Sequence, residues 1–138
     1  LNEMMIQLIL HGIGDYFLQT DWQALNKKKK GKDGLIACLR HCITYSLPFA
    51  FIGSAMAVWV IFITHFIIDR TNIVAYAIAW KNGVYTKTMQ GDVCIKKVLN
   101  IQNFGFGLER PFAISIWLYI ICDNLCHIIC NYLALKYL

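Results

Sequence analysis

The chain has 138 residues, 58% of them apolar and 15% charged, with a formal net charge of +5 and a mean hydropathy of +0.51. Soluble domains average about 45–50% apolar and about 25% charged residues, so the composition excludes an ordinary soluble enzyme and points to an integral membrane protein. The excess positive charge sits in one block, Lys27, Lys28, Lys29, Lys30 and Lys32, without interleaved aromatics, which reads as a membrane-flanking segment in contact with the lipid bilayer and not as a nucleic-acid surface.

The first apolar run, Glu3 to Thr20, carries Gln7, His11, Asp15 and Gln19 at every fourth position. On a helix that spacing keeps a polar stripe on one side, so a first span is expected at about residues 4–20, short for the roughly 20 residues a bilayer needs. Asp21 to Asp33 is a polar connection, with Trp22 as an interfacial aromatic and Asp33 as the N-cap of the next helix. The second run, Gly34 to Ile52, holds Arg40, His41 and Tyr45, and Pro48 kinks its outer end. Gly53-Ser54 turns the chain into the third run, Ala55 to Trp80, read as one long helix that tilts or extends past the membrane after Arg70. Lys81 to Arg110 is a long polar segment in which a short surface helix is expected from Asp92 to Ile101. Pro111 opens the last helix, Phe112 to Leu138.

The fold class that follows is all-α: an integral membrane four-helix bundle with a longer polar loop between helices three and four, one domain over residues 1–138, with spans at about 4–20, 34–52, 55–80 and 111–137. Four spans place both lysine-bearing connections on one side, which the positive-inside rule makes cytoplasmic, with both termini outside. Five of the six cysteines fall in the apolar runs and no CxxC occurs, so they are read as reduced packing residues and not as a redox or zinc-ribbon motif.

The chemistry is carried by histidines and aspartates at helical spacing. His11 and Asp15, His65 and Asp69, and Asp123 and His127 are each four residues apart, one turn on one face, while His41 has no such carboxylate on its own helix. Ionisable groups in apolar runs are costly unless they meet one another. All seven are therefore expected in one interior site, with His41 reaching across to another helix. Imidazole and carboxylate suit a divalent transition metal such as zinc, manganese or iron, and bundles build such sites from ligands one turn apart. Seven candidate ligands, His11, Asp15, His41, His65, Asp69, Asp123 and His127, are enough for one or two ions. His65, Asp69 and Arg70 are the candidate catalytic residues, Arg70 and Arg40 as holders of a phosphate or carboxylate. Asn124 and Asn131 are read as outer groups or interhelical hydrogen bonds.

The string from His11 through Asp15, Gln19, Asp21 and Trp22, then Lys27, His41 with Tyr45, and His65 with Asp69 and Arg70 resembles the membrane family catalogued as domain of unknown function 3307, found in bacteria and their phages. The resemblance covers about Leu8 to Arg70, and Asp123-Asn124 with His127 is similar to phage members. It implies a protein of the bacterial inner membrane and singles out these positions. The family has no agreed activity, so the reaction is read from the residues. One reading is a metal-dependent hydrolase acting on a lipid-borne or membrane-adjacent substrate. The alternative is a non-enzymatic membrane protein, a homo-oligomer, small carrier or proton path, whose His/Asp pairs are structural.

Overall fold

In the computed structural model, which describes residues 2–138, α1 (Glu3–Gly12) begins at Asn2, whose side chain accepts from the Met5 amide at 2.9 Å. That bond satisfies one of the donors a helix start leaves open. The helix widens into a π-helical turn over Ile13–Phe17, closed by Leu18 N to Ile13 O at 2.9 Å. The short α2 (Asp21–Asn26) is set by a capping box between Thr20 and Gln23. Next comes α3 (Lys32–Ser46), which tightens into a 3₁₀ turn at Leu47–Phe51 around Pro48. Ser54 caps α4 (Ala55–Arg70), accepting from the Ala57 amide. α5 (Ile73–Asn82) ends on Gly83 in the left-handed region. The strands β1 (Tyr85–Gln90) and β2 (Val93–Leu99) pair antiparallel, and α6 (Phe112–Tyr137) closes the chain.

Several sequence-based expectations are corrected here. The fold is not an all-α membrane four-helix bundle: the described residues hold six α-helices and a two-stranded sheet. Two helical stretches, Lys32–Phe51 and Phe112–Tyr137, are long and apolar enough to cross a membrane, or three if the broken pair Ala55–Arg70 and Ile73–Asn82 counts as one span. The run from Ala55 to Trp80 breaks because Thr71 takes an extended conformation (φ −115°, ψ 173°) within the polar string Asp69 to Asn72. The first run supplies ten α-helical residues and a five-residue π turn, shorter than a span. The topology built on four spans loses its basis with them. Helix α3 starts one residue before Asp33, with Gly31 (φ 94°) at the cap position and Asp33 in the first turn, where its charge faces the positive end of the helix dipole.

The surface helix expected from Asp92 to Ile101 is instead β2. Gln90 pairs with Val93 across a two-residue loop, Gly91-Asp92, and Gly91 alone of the two has positive φ (58°), as a type II′ hairpin turn requires of its first central residue. Val93, Ile95 and Val98 are β-branched residues that favour strands over helices.

The chain divides into two compact units, Leu1–Thr71 with Leu125–Leu138, and Asn72–Asn124. In the second unit, Gly105 (φ 83°) lies against the backbone of Ala75 and Ala79, where any Cβ would overlap Ala75 O. Asn103 ties the same loop by donating to Gly107 O (2.9 Å) and Arg110 O (3.1 Å).

The first unit has inverted polarity. A small apolar cluster of Tyr45, Phe49, Ala57, Ile61 and Ala134 is buried, yet so are Gln7, His11, His41, His65, Asp69, His127 and Asn131. Meanwhile Phe51 is 91% and Phe17 84% exposed, and Leu125, Ile129 and Leu133 form an exposed stripe at every fourth position of α6. Soluble domains rarely expose so much contiguous apolar surface. In a membrane, interior-facing ionisable groups are the rule.

Candidate metal centre

Three elements of the first unit bring the site together. The α1 stripe delivers His11 and, on the π turn, Asp15. Such i→i+5 turns re-aim the side chains that follow and recur at functional sites. Gly14 allows this approach, since a Cβ there would overlap the Tyr45 ring, lying 3.1 Å from Cε2 and 3.2 Å from Cγ. Helix α3 supplies His41 and, one turn on, Tyr45. Helix α4 supplies His65 and Asp69 one turn apart.

The ligand atoms of Asp15, His41, His65 and Asp69 lie within 4.8 Å of one another, so this group can hold a metal ion. The spacing is much tighter than that limit. His41 Nε2 is 2.9 Å from His65 Nε2, 3.2 Å from Asp15 Oδ1 and 3.0 Å from Asp69 Oδ2. His65 Nε2 is 3.3 Å from Asp15 Oδ1 and 3.2 Å from Asp69 Oδ2. A regular tetrahedron whose corners lie about 2.0 Å from its centre, the zinc–nitrogen distance, has edges of about 3.3 Å. Hydrogen bonding alone does not account for two imidazole nitrogens that touch each other and both carboxylates. Each Nε2 carries at most one proton and a carboxylate accepts only, so either two N–H groups face each other or a bare nitrogen faces carboxylate lone pairs. A cation at the centre removes the conflict.

Around this quartet the second carboxylate oxygens face further histidines. Asp15 Oδ2 is 3.4 Å from His11 Nδ1, and Asp69 Oδ1 is 3.6 Å from His127 Nε2. Tyr45 is the hub of this outer layer. Its hydroxyl pairs with His11 Nδ1 at 2.8 Å, accepts from Asn131 Nδ2 at 2.7 Å, and its ring stacks on His65 with centroids 3.6 Å apart. Outer contacts of this kind orient metal ligands. On the other side, Nδ1 of His41 and of His65 is buried without a hydrogen-bond partner, so the tautomer of these two imidazoles is set from the Nε2 side.

The seven sequence-derived candidates therefore fall into distinct places. Asp15, His41, His65 and Asp69 form the quartet, and His41 Nε2 meets partners on other elements. His11 and His127 stand behind the two carboxylates. Asp123 lies one turn before His127 on α6 and belongs to the second unit. Arg70 does not point its guanidinium at the quartet: Nη1 donates to Lys27 O (3.0 Å) and Lys29 O (2.7 Å), clamping the lysine segment.

Two participants stand in the string that carries the family resemblance but not among the candidate site residues. Tyr45 stands one turn after His41, and that i+4 relation signals that its hydroxyl joins the polar face. Lys27 gives no such signal. It reads as the first residue of a solvated lysine block, yet Nζ lies 2.8 Å from Asp69 Oδ2 and 2.9 Å from Gln19 Oε1.

The family described as Protein of unknown function (DUF3307) matches residues 4–136, so the chain belongs to it. Comparison with curated proteins and with solved structures gave no match.

Proposed function

We propose that this member of the DUF3307 family is an integral membrane protein that binds a divalent transition metal through His41, His65, Asp69 and Asp15 and uses it to hydrolyse a lipid-borne or membrane-adjacent ester, amide or phosphoester. The observation that carries the reading is the quartet of ligand atoms, in which the two imidazole nitrogens lie 2.9 Å apart and each lies 3.0 to 3.3 Å from both carboxylates. Membrane residence is supported by the exposed apolar residues around a polar interior. We place the protein in a bacterial inner membrane with the lysine segment on the cytoplasmic face, where the positive-inside bias favours it.

Catalytic zinc keeps three protein ligands and an open fourth position. His41, His65 and Asp69 are the better-fixed three, and their side chains are 0–3% exposed. Asp15, on the π turn and with a 12% exposed side chain, is the corner that yields to water. A divalent ion held by these residues would supply an activated water. Asp15 would take that water's proton as its oxygen attacks the carbonyl carbon or phosphorus, and would return the proton to the leaving atom as the bond to the leaving group breaks.

A full set of four protein ligands favours a second reading, an ion that ties α1, α3 and α4 together as structural zinc does. One experiment separates the two. Elemental analysis of the protein purified in detergent is expected to find one ion per chain, absent from His65→Ala. Asp15→Asn should keep the ion and lose chelator-sensitive hydrolysis of lipid vesicles. Wild-type protein without metal above the buffer level refutes both readings. Metal without any hydrolysis, lost from Asp15→Asn as from His65→Ala, selects the structural one.

A further inference from the structure

We propose that the site accepts a phosphate-bearing monoanion and that Lys27 is the residue that recognises its charge. This rests on the metal reading above and names the substrate class for that same site. Lys27 is the first residue of the lysine block, but it is set apart from the rest. Its side chain is 16% exposed and its ammonium touches Asp69 Oδ2, the oxygen that also faces His41 and His65.

The segment is held in place by more than this contact. Arg70 Nη1 binds the carbonyls of Lys27 and Lys29, and Lys28 Nζ donates to Thr71 O at 3.0 Å. The segment Lys27 to Lys29 is thus folded onto the end of α4 that carries Asp69.

Charge balance gives the ligand. Imidazoles that bind a metal do so in the neutral form. The carboxylates of Asp15 and Asp69 cancel a divalent ion, and Lys27 leaves one positive charge over. A net charge left over among groups this little exposed to water is costly. A neutral carboxylic ester leaves it uncompensated, whereas a phosphodiester headgroup or a phosphate monoanion cancels it. An ammonium has three donors; Asp69 and Gln19 occupy two of them at 2.8 and 2.9 Å, and the third serves a phosphate oxygen next to the ion. Lysine suits this task as a compact point charge on a flexible stem.

The test uses the full chain in neutral detergent, loaded with Co²⁺ as a spectroscopic stand-in for the native ion. The probes are inorganic phosphate and short-chain phosphatidylglycerol. Either is expected to shift the visible cobalt bands of the wild type. In Lys27→Met the cobalt spectrum should persist while the anion response weakens at least tenfold. Lys27→Arg, which keeps the charge, should recover most of it, and Lys27→Gln, which keeps a donor toward Asp69 and Gln19, covers the case in which the methionine variant fails to fold. A response to phosphatidylglycerol alone identifies a lipid headgroup, and a response to inorganic phosphate alone identifies a free phosphate. The inference is overturned if neither probe moves the wild-type bands. It is equally overturned if Lys27→Met and Lys27→Gln change only the cobalt affinity, because Lys27 is then merely the counter-ion of Asp69. A wild type that takes up no cobalt is seen before any anion is added and removes the metal reading itself.

Discussion

Replacing Gly14 with alanine tests the geometry that assembles the quartet. The new Cβ would overlap the ring of Tyr45, with Cδ2 nearest and Cε2 and Cγ at 3.1 and 3.2 Å. Real Cβ atoms need roughly 3.5–4.0 Å to carbon, so either the ring or the π turn must shift by several tenths of an ångström or more. The ring has nowhere to go. Tyr45 is fully buried, stacked on His65, and held at its hydroxyl by His11 and Asn131. Overpacking of this kind costs about 1–3 kcal/mol, a large share of the roughly 5–15 kcal/mol that holds a domain together. Gly12→Ala is the control two residues away, where a Cβ meets nothing within 4 Å and a helical alanine gains about 0.5–1 kcal/mol. That backbone gain is common to both variants, so they should differ by about 1–3 kcal/mol in unfolding free energy, read by denaturant titration in detergent, with Gly14→Ala also losing bound metal as Asp15 moves. Equal stability and equal metal content in the two variants would refute the close approach of α1 to α3.

Leu125→Lys, at an exposed position of the apolar stripe on α6, should cost about 2.5–3.5 kcal/mol if the stripe faces lipid at mid-membrane, and reduce membrane-inserted protein in a glycosylation or protease-protection assay. Unchanged insertion would mean that this face meets water, where such surface substitutions stay within about 0.5 kcal/mol. Tyr45→Phe removes the oxygen that accepts from Asn131 and pairs with His11 and should cost about 1–3 kcal/mol, with metal affinity reduced because His11 loses the contact that orients it behind Asp15. A neutral outcome in thermal unfolding and metal titration would remove Tyr45 from the site's support.

Helices apolar enough to cross a membrane, and histidines and aspartates that come together inside the first unit, were legible from residue types and spacing alone. His, Asp and Asn in apolar runs must face inward whatever the connectivity, and i+4 spacing puts His65 beside Asp69 on any α-helix. What spacing does not encode is which groups meet across elements. Asp15 reaches His41 and His65 only because a π turn re-aims it and Gly14 admits the ring of Tyr45. Lys27 reaches Asp69 only because Arg70 gathers the carbonyls of the lysine segment, and Arg70 is thereby turned away from the chemistry it was expected to do. The break at Thr71 and the hairpin at Gly91 were hidden for a related reason. In apolar or mixed stretches, periodicity does not distinguish one long helix from two, and a short amphipathic helix and a strand draw on the same residues. Local sequence sets which side chains cannot face lipid, because desolvation acts on each group alone. Tertiary structure decides which of them touch, because ångström-level contact depends on backbone turns and close approaches formed far along the chain from the groups they align.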